Sequence, residues 1–88
     1  MDTKLAFEMI CAAVEQHPRR RLKGQRIDEL QFGNFFVAFI EDGRERCVVN
    51  DRGLVIVTGD LDGAGNALAT VPSLYDAVAD SLLSELGL

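Results

Sequence analysis

Residue types on which many functional sites depend are scarce in this sequence of 88 residues. It has no tryptophan, one tyrosine and a single histidine, His17, so a metal site built on a pair of histidines is excluded. The two cysteines, Cys11 and Cys47, lack CxxC spacing. We interpret both as small buried side chains, with a disulfide or a reactive thiol as the alternative. No enzyme, metal site or cofactor site is predicted, because the sequence contains no catalytic or nucleotide-binding signature.

Long apolar runs are also absent. None approaches the ~20 residues that a membrane span requires, and the first residues lack the basic start and cleavage pattern of a secretory signal. A cytoplasmic location is therefore expected. At this length we predict one domain over residues 1–88. As a monomer it would bury only ~60–65% of the surface that its unfolded chain exposes.

Charge is unevenly distributed along the chain. Fourteen acidic and nine basic side chains give a formal net charge of −5, but five of the basic ones lie within eight residues that hold no acid. These five are Arg19, Arg20, Arg21, Lys23 and Arg26. We interpret this basic segment as a solvated loop that pairs with the chain's own carboxylates, as a protein contact, or as a contact for nucleic acid or another anion. Because the rest of the chain is acidic and no tryptophan or tyrosine lies among these cations, protein partners are favoured over nucleic acid.

The hydrophobic pattern predicts an α+β fold with an N-terminal helix, an antiparallel meander of three or four strands and a C-terminal helix. The first helix should run from Thr3 to His17, where Pro18 ends it, and residues 19–30 should form a loop, with or without one helical turn at 27–30. Strands are predicted at 34–41, 44–50 and 54–58, with a short fourth strand at 67–71. The last helix should begin after Ser73 as its N-cap and end at Gly87.

Two turns fix the register of the predicted strands. Asp42-Gly43 fits a two-residue type I′ hairpin, in which both central residues have positive φ. The run Asn50-Asp51-Arg52-Gly53 fits a type I turn closed by a glycine bulge. With these registers, one sheet face carries Phe35, Val37, Phe39, Val48, Leu54 and Ile56, and the other carries Phe36, Ala38, Ile40, Cys47, Val49, Val55 and Val57.

Neither predicted face is mainly polar, so two short helices leave apolar surface uncovered. The first helix is apolar on most of its circumference, which favours both helices on one side of the sheet. The other side then exposes more apolar surface than soluble monomers usually show, and it should contact a second copy or a different protein. Phe35, Val37 and Phe39 are predicted to form that contact. If the helices instead flank opposite faces, the monomer closes on itself.

Acidic side chains supply the second part of the predicted binding surface. The loop from Asp60 to Asn66 has oxygen ligands where a calcium loop begins, but Ala64 and Val71 stand where two further ligands are required. We interpret it as a flexible connection, an acidic contact for a partner or a weak cation site. Asp60, Asp62, Asp76 and Asp80 are together predicted to steer a partner that has a basic surface.

The sequence therefore favours a small acidic, non-enzymatic protein that binds another protein and occludes part of its surface. Inhibitors, immunity or antitoxin partners and chaperones act in this way. A homodimer is the expected assembly. The alternative is an accessory of a nucleic-acid or regulatory complex that docks through the basic segment, residues 19–26. A small-ligand binder or enzyme subunit that uses the loop at 60–66 is a third interpretation.

Overall fold

A computed structural model describes all 88 residues, and it confirms the predicted α+β fold of an N-terminal helix, an antiparallel meander and a C-terminal helix. The sheet has five strands in the order β1-β2-β3-β4-β5, so each strand pairs with its neighbours in sequence. The elements are α1 (Thr3–Gln16), β1 (Arg20–Asp28), β2 (Asn34–Glu41), β3 (Arg44–Asp51), β4 (Leu54–Thr58), β5 (Ala67–Val71), a 3₁₀ turn (Leu74–Asp76) and α2 (Ala79–Glu85).

The prediction of a loop at 19–30 is wrong, because most of this segment forms the edge strand β1. Its register with β2 shifts between Leu22 and Gly24, which leaves Lys23 as the extra residue of a bulge. The bulge interrupts the alternation of side chains, so Leu22 and Ile27 are both turned toward the interior although they are five residues apart. The alternation of apolar and polar residues that is typical of a strand is therefore not visible in the sequence of β1.

The hairpin between β2 and β3 confirms the prediction for Asp42-Gly43, whose φ values are 51° and 79°. The turn between β3 and β4 is of the same kind, because Arg52 and Gly53 have φ values of 53° and 96°. The predicted type I turn with a glycine bulge is thus wrong. The two-residue turn places Asp51 opposite Leu54.

This change of turn shifts β4 by one residue relative to the predicted register. Because successive side chains of a strand point to opposite faces, a shift of one residue moves every side chain to the other face. Val55 and Val57 therefore lie on the face that carries the helices, and both are buried. Leu54 and Ile56 lie on the opposite face.

Both helices pack on one face of the sheet, as predicted. Helix α1 begins after Asp2, whose carboxylate accepts the N–H of Leu5 at 3.2 Å, and it packs against β1 and β2. Helix α2 packs against β5 and α1. Neither helix is long and apolar enough to cross a membrane. The core between helices and sheet consists of Ala6, Ile10, Val14, Phe35, Val37, Phe39, Val48, Val55, Val57, Val71, Leu74, Leu82 and Leu86.

Phe35, Val37 and Phe39 belong to this core, so the prediction that they face a partner is wrong. Their exposed fractions are 4%, 0% and 1%. The strand has large apolar side chains on both faces, and α1 covers the face that these three share. The side chains of β2 that remain available to a partner are those on the opposite face, such as Phe36.

The last helix is shorter than predicted. Ser73 makes no capping hydrogen bond, and the N–H of Leu74 instead donates to the carbonyl of Gly53 at 2.7 Å. This bond and the full burial of Leu74 hold the chain in a 3₁₀ turn, so α2 starts only at Ala79. The predicted C-terminal glycine is confirmed, because Gly87 has a φ of 74° and its N–H donates to the carbonyl of Ser84.

Candidate binding surface on the open face of the sheet

The face without helices is crossed by one continuous row of side chains. The backbone register places one residue of each strand in this row, from β1 to β5. Its members are Arg26, Phe36, Val49, Ile56 and Thr70. The row is therefore apolar at its centre, with a cation at one end and a hydroxyl at the other.

The loop between β4 and β5, residues 59–66, covers part of this open face. Gly63 approaches so closely that a Cβ atom there would lie 2.7 Å from a methyl of Val49. Its φ of 72° also favours glycine. Beneath the loop Cys47 is 1% exposed, whereas Phe36 is 37% and Leu54 is 40% exposed. The open face is thus partly closed by the chain itself, which the sequence did not predict.

A cavity of about 550 Å³ lies between this loop and the sheet. Phe36, Val49 and Leu61 give it apolar walls, and four charged side chains also line it. The charged ones are Arg26, Asp28, Asp51 and Asp62. Three carboxylates and one guanidinium leave the cavity acidic, and none of the four makes an ion pair.

The basic segment, residues 19–26, is divided by the fold into two groups. Arg19 lies 3.8 Å from a carboxylate oxygen of Asp42, and Arg20 pairs with Glu41. The other three, Arg21, Lys23 and Arg26, are exposed and make no ion pair. Pairing with the chain's own carboxylates thus accounts for only two of the five cations.

Arg20 and Glu41 form the least exposed ion pair of the protein. The Arg20 side chain is 7% exposed, and its guanidinium lies 5.9 Å from the centre of the Phe39 ring. Its hydrogen bond to the carboxylate holds the pKa of Glu41 below the ordinary value of 4.5. Because folding lowers this pKa, the pair stabilises the fold fully above pH 4.5, the ordinary value that applies to the unfolded chain. This stability is lost as the pH falls through the lower pKa of the folded state.

Glu41→Gln is therefore expected to destabilise the protein near neutral pH, by about 1–3 kcal/mol, since it removes a charge-assisted hydrogen bond from a partly buried arginine. The difference from wild type should shrink as the pH is lowered below 4.5, where the wild-type carboxylate also becomes neutral. Urea unfolding at a series of pH values measures it. The control is Glu45→Gln, an exposed residue without an ion pair. A difference that stays constant with pH would contradict this assignment.

The four aspartates predicted to steer a partner do not form one surface. Asp60 and Asp62 belong to the loop over the open face, and Asp60 accepts the N–H of Ala64 at 3.0 Å. Asp76 and Asp80 are exposed on the 3₁₀ turn and α2, which belong to the helical layer. Only Asp62 lines the cavity. No group of three or more His, Cys, Asp or Glu side chains is arranged to hold a metal ion.

Both cysteines are free thiols in the structure. Burial raises the pKa of Cys47 to about 11, and the carboxylates of Asp60 and Asp62 act in the same direction. Burial likewise raises the pKa of Cys11 to about 11. At neutral pH both are therefore protonated and poor nucleophiles. His17 has a structural contact, because its Nδ1 accepts the N–H of Arg19 at 3.1 Å.

The residues of the open face were missed for two reasons. The sequence predicts that Phe36 and Val49 share a face, but it does not show which of the two faces α1 covers. The predicted turn at Arg52-Gly53 places Ile56 on the wrong face, because the actual turn shifts β4 by one residue. Gly53 at the second central position is the one local signal for this two-residue turn, and Arg52 obscures it, because such turns favour Asn, Asp or Gly at the first central position.

No family model, curated protein or solved structure matches the chain. The geometry defines an α+β domain whose five-stranded meander is closed by helices on one face and by a single loop on part of the other.

Proposed function

We propose that this chain is a small acidic, non-enzymatic protein of the cytoplasm that binds another protein and occludes part of its surface. Inhibitors, immunity or antitoxin partners and chaperones work in this way. The observation that carries the proposal is the exposure of Phe36 and Leu54, at 37% and 40%, beside the cavity of the open face.

The composition of the open face supports this proposal. Interfaces of non-obligate protein complexes combine an apolar centre with a polar rim. Aromatic side chains often supply much of their binding energy. Here Phe36, Val49 and Ile56 form the centre, and the unpaired Arg26 and Asp62 lie at the rim. The excess of carboxylates at the cavity favours a partner with basic side chains.

Affinity capture from lysate of the source cells, followed by titration of the captured protein, tests the proposal. Phe36→Ser combined with Leu54→Ser should weaken binding at least about tenfold, because both are exposed apolar side chains of the open face. The matched control is Leu5→Ser combined with Val78→Ser, which are 47% and 62% exposed in the helical layer. If both double variants bind the captured protein as the wild type does, the open face is not the binding surface.

A nucleic-acid accessory that docks through β1 is the second candidate. It is favoured by Arg21, Lys23 and Arg26, which lie on one edge strand without ion pairs. Binding to phosphates weakens log-linearly with salt, with a slope of about −0.7 to −0.9 per phosphate neutralised. Nuclease treatment before capture and a salt titration therefore separate the two candidates. A complex that survives nuclease and responds weakly to salt supports the protein partner.

A further inference from the structure

The turn between β1 and β2 displays two apolar side chains to solvent. Leu30 is 97% exposed and Phe32 is 65% exposed, which makes Leu30 the most exposed large apolar side chain of the protein. Together we call them the apolar knob. Scattered single apolar residues on a surface are ordinary, but two on one tight turn form a compact protrusion.

The knob is held in place by its own turn. The N–H of Leu30 donates to the carboxylate of Asp28 at 3.1 Å, and that of Asn34 donates to the carbonyl of Gln31 at 3.0 Å. Phe32 has a φ of 59°, a conformation that is costly for a bulky side chain and persists only where the surroundings impose it. The knob is thus presented in a fixed and strained conformation.

A cation accompanies the knob. Arg52, in the neighbouring turn, places its guanidinium 5.1 Å from the centre of the Phe32 ring. The backbone N–H of Arg52 donates to the side-chain oxygen of Asn34 at 2.8 Å, which ties the two turns together. Arg52 makes no ion pair. The knob is therefore an apolar protrusion that carries an unpaired positive charge.

The cavity of the open face has the complementary character. Its walls are apolar at Phe36, Val49 and Leu61, and its carboxylates at Asp51 and Asp62 accept no hydrogen bond from a side chain. The knob and the cavity also adjoin, since the residues on both sides of the knob turn, Asp28 and Asn34, line the cavity, as does Asp51 next to Arg52. One end of the sheet thus carries a protrusion and a recess that match in polarity and charge.

The geometry points to self-association in which the knob of each copy enters the cavity of a second copy about a two-fold axis. A surface that contains both halves of a contact is self-complementary, and a two-fold axis closes the assembly at a dimer. Arg52 of one copy would face Asp51 and Asp62 of the other. This inference uses the cavity of the proposed function but does not rest on that function, since it needs no other protein.

Sedimentation velocity of the purified protein over a concentration series tests this directly. We expect a reversible dimer with a dissociation constant between about 1 µM and about 1 mM. Leu30→Ser combined with Phe32→Ser should remove it. The matched control, Leu68→Ser combined with Val78→Ser, replaces apolar residues that are 57% and 62% exposed elsewhere, and should leave the dimer unchanged.

A variant of the cavity completes the test. Asp62→Arg should weaken the dimer at least about tenfold, because it places a second cation opposite Arg52. Thermal unfolding of each variant establishes that it is folded. A wild-type monomer at the highest concentration would overturn the inference, as would a knob variant that dimerises like the wild type. Species larger than a dimer would contradict the two-fold exchange. None of these results depends on whether a different protein is captured.

Discussion

Phe39→Ala is expected to lower the free energy of unfolding by about 3–5 kcal/mol, because it removes most of a fully buried aromatic side chain and leaves a cavity. Phe39 is 1% exposed, lies in the core between sheet and helices, and has the Arg20 guanidinium over its ring. A domain of this size has a total stability of about 4–13 kcal/mol. The variant should therefore be marginally stable, and urea unfolding followed by circular dichroism measures the loss.

Phe36→Ala is the matched control, since it makes the same replacement three residues earlier in β2 on the opposite face. At 37% exposure it should cost only about 1–2 kcal/mol. The comparison tests the assignment of the two faces. Equal losses for the two variants would contradict this assignment, and a larger loss at Phe36 would indicate that the helices cover the other face.

Asn50→Ala is expected to cost about 2–4 kcal/mol, because it leaves two backbone groups without partners. Asn50 is 2% exposed. Its Nδ2 donates to the carbonyl of Gly33 at 3.1 Å, and its Oδ1 accepts the N–H of Gly53 at 3.0 Å. One buried amide thus joins the turn before β2 to the turn before β4. Urea unfolding also measures this loss.

Asn34→Ala serves as the control for this prediction. The side-chain oxygen of Asn34 also accepts a backbone N–H, that of Arg52 at 2.8 Å, but this hydrogen bond is exposed. Water can replace the lost acceptor, so the cost should stay within about 1 kcal/mol. Similar costs at Asn34 and Asn50 would mean that burial of the Asn50 hydrogen bonds does not matter for stability.

Local signals in the sequence were sufficient where one residue type controls the backbone. The turn at Asp42-Gly43, the end of α1 near Pro18 and the glycine that ends α2 were all predicted correctly. Each depends on φ or on a missing N–H, which are properties of single residues. Such signals fix where elements begin and end.

Features that depend on tertiary contacts were not visible in the sequence. Strand β1 is not apparent in the sequence because its bulge disrupts the alternation of side chains and because four of its nine residues are cationic. The choice between Phe36 and Phe39 as the exposed phenylalanine depended on where α1 packs. The cavity depended on Gly63 lying against Val49, a contact between segments with no shared sequence pattern. The candidate site therefore required the structure.

The strictly sequential order of the five strands bears on how the chain reaches its native state. Every pairing in the sheet closes a short connection, so each hairpin can form before the next one and little loop entropy is lost at any step. Proteins rich in such local contacts fold faster than sheets whose partners are distant in sequence. Contacts between the two ends of the chain must instead wait for most of it: α2 packs against α1, the N-terminal amine of Met1 donates to the carbonyls of Leu74 and Tyr75, and Arg20 donates to the carbonyl of Leu88.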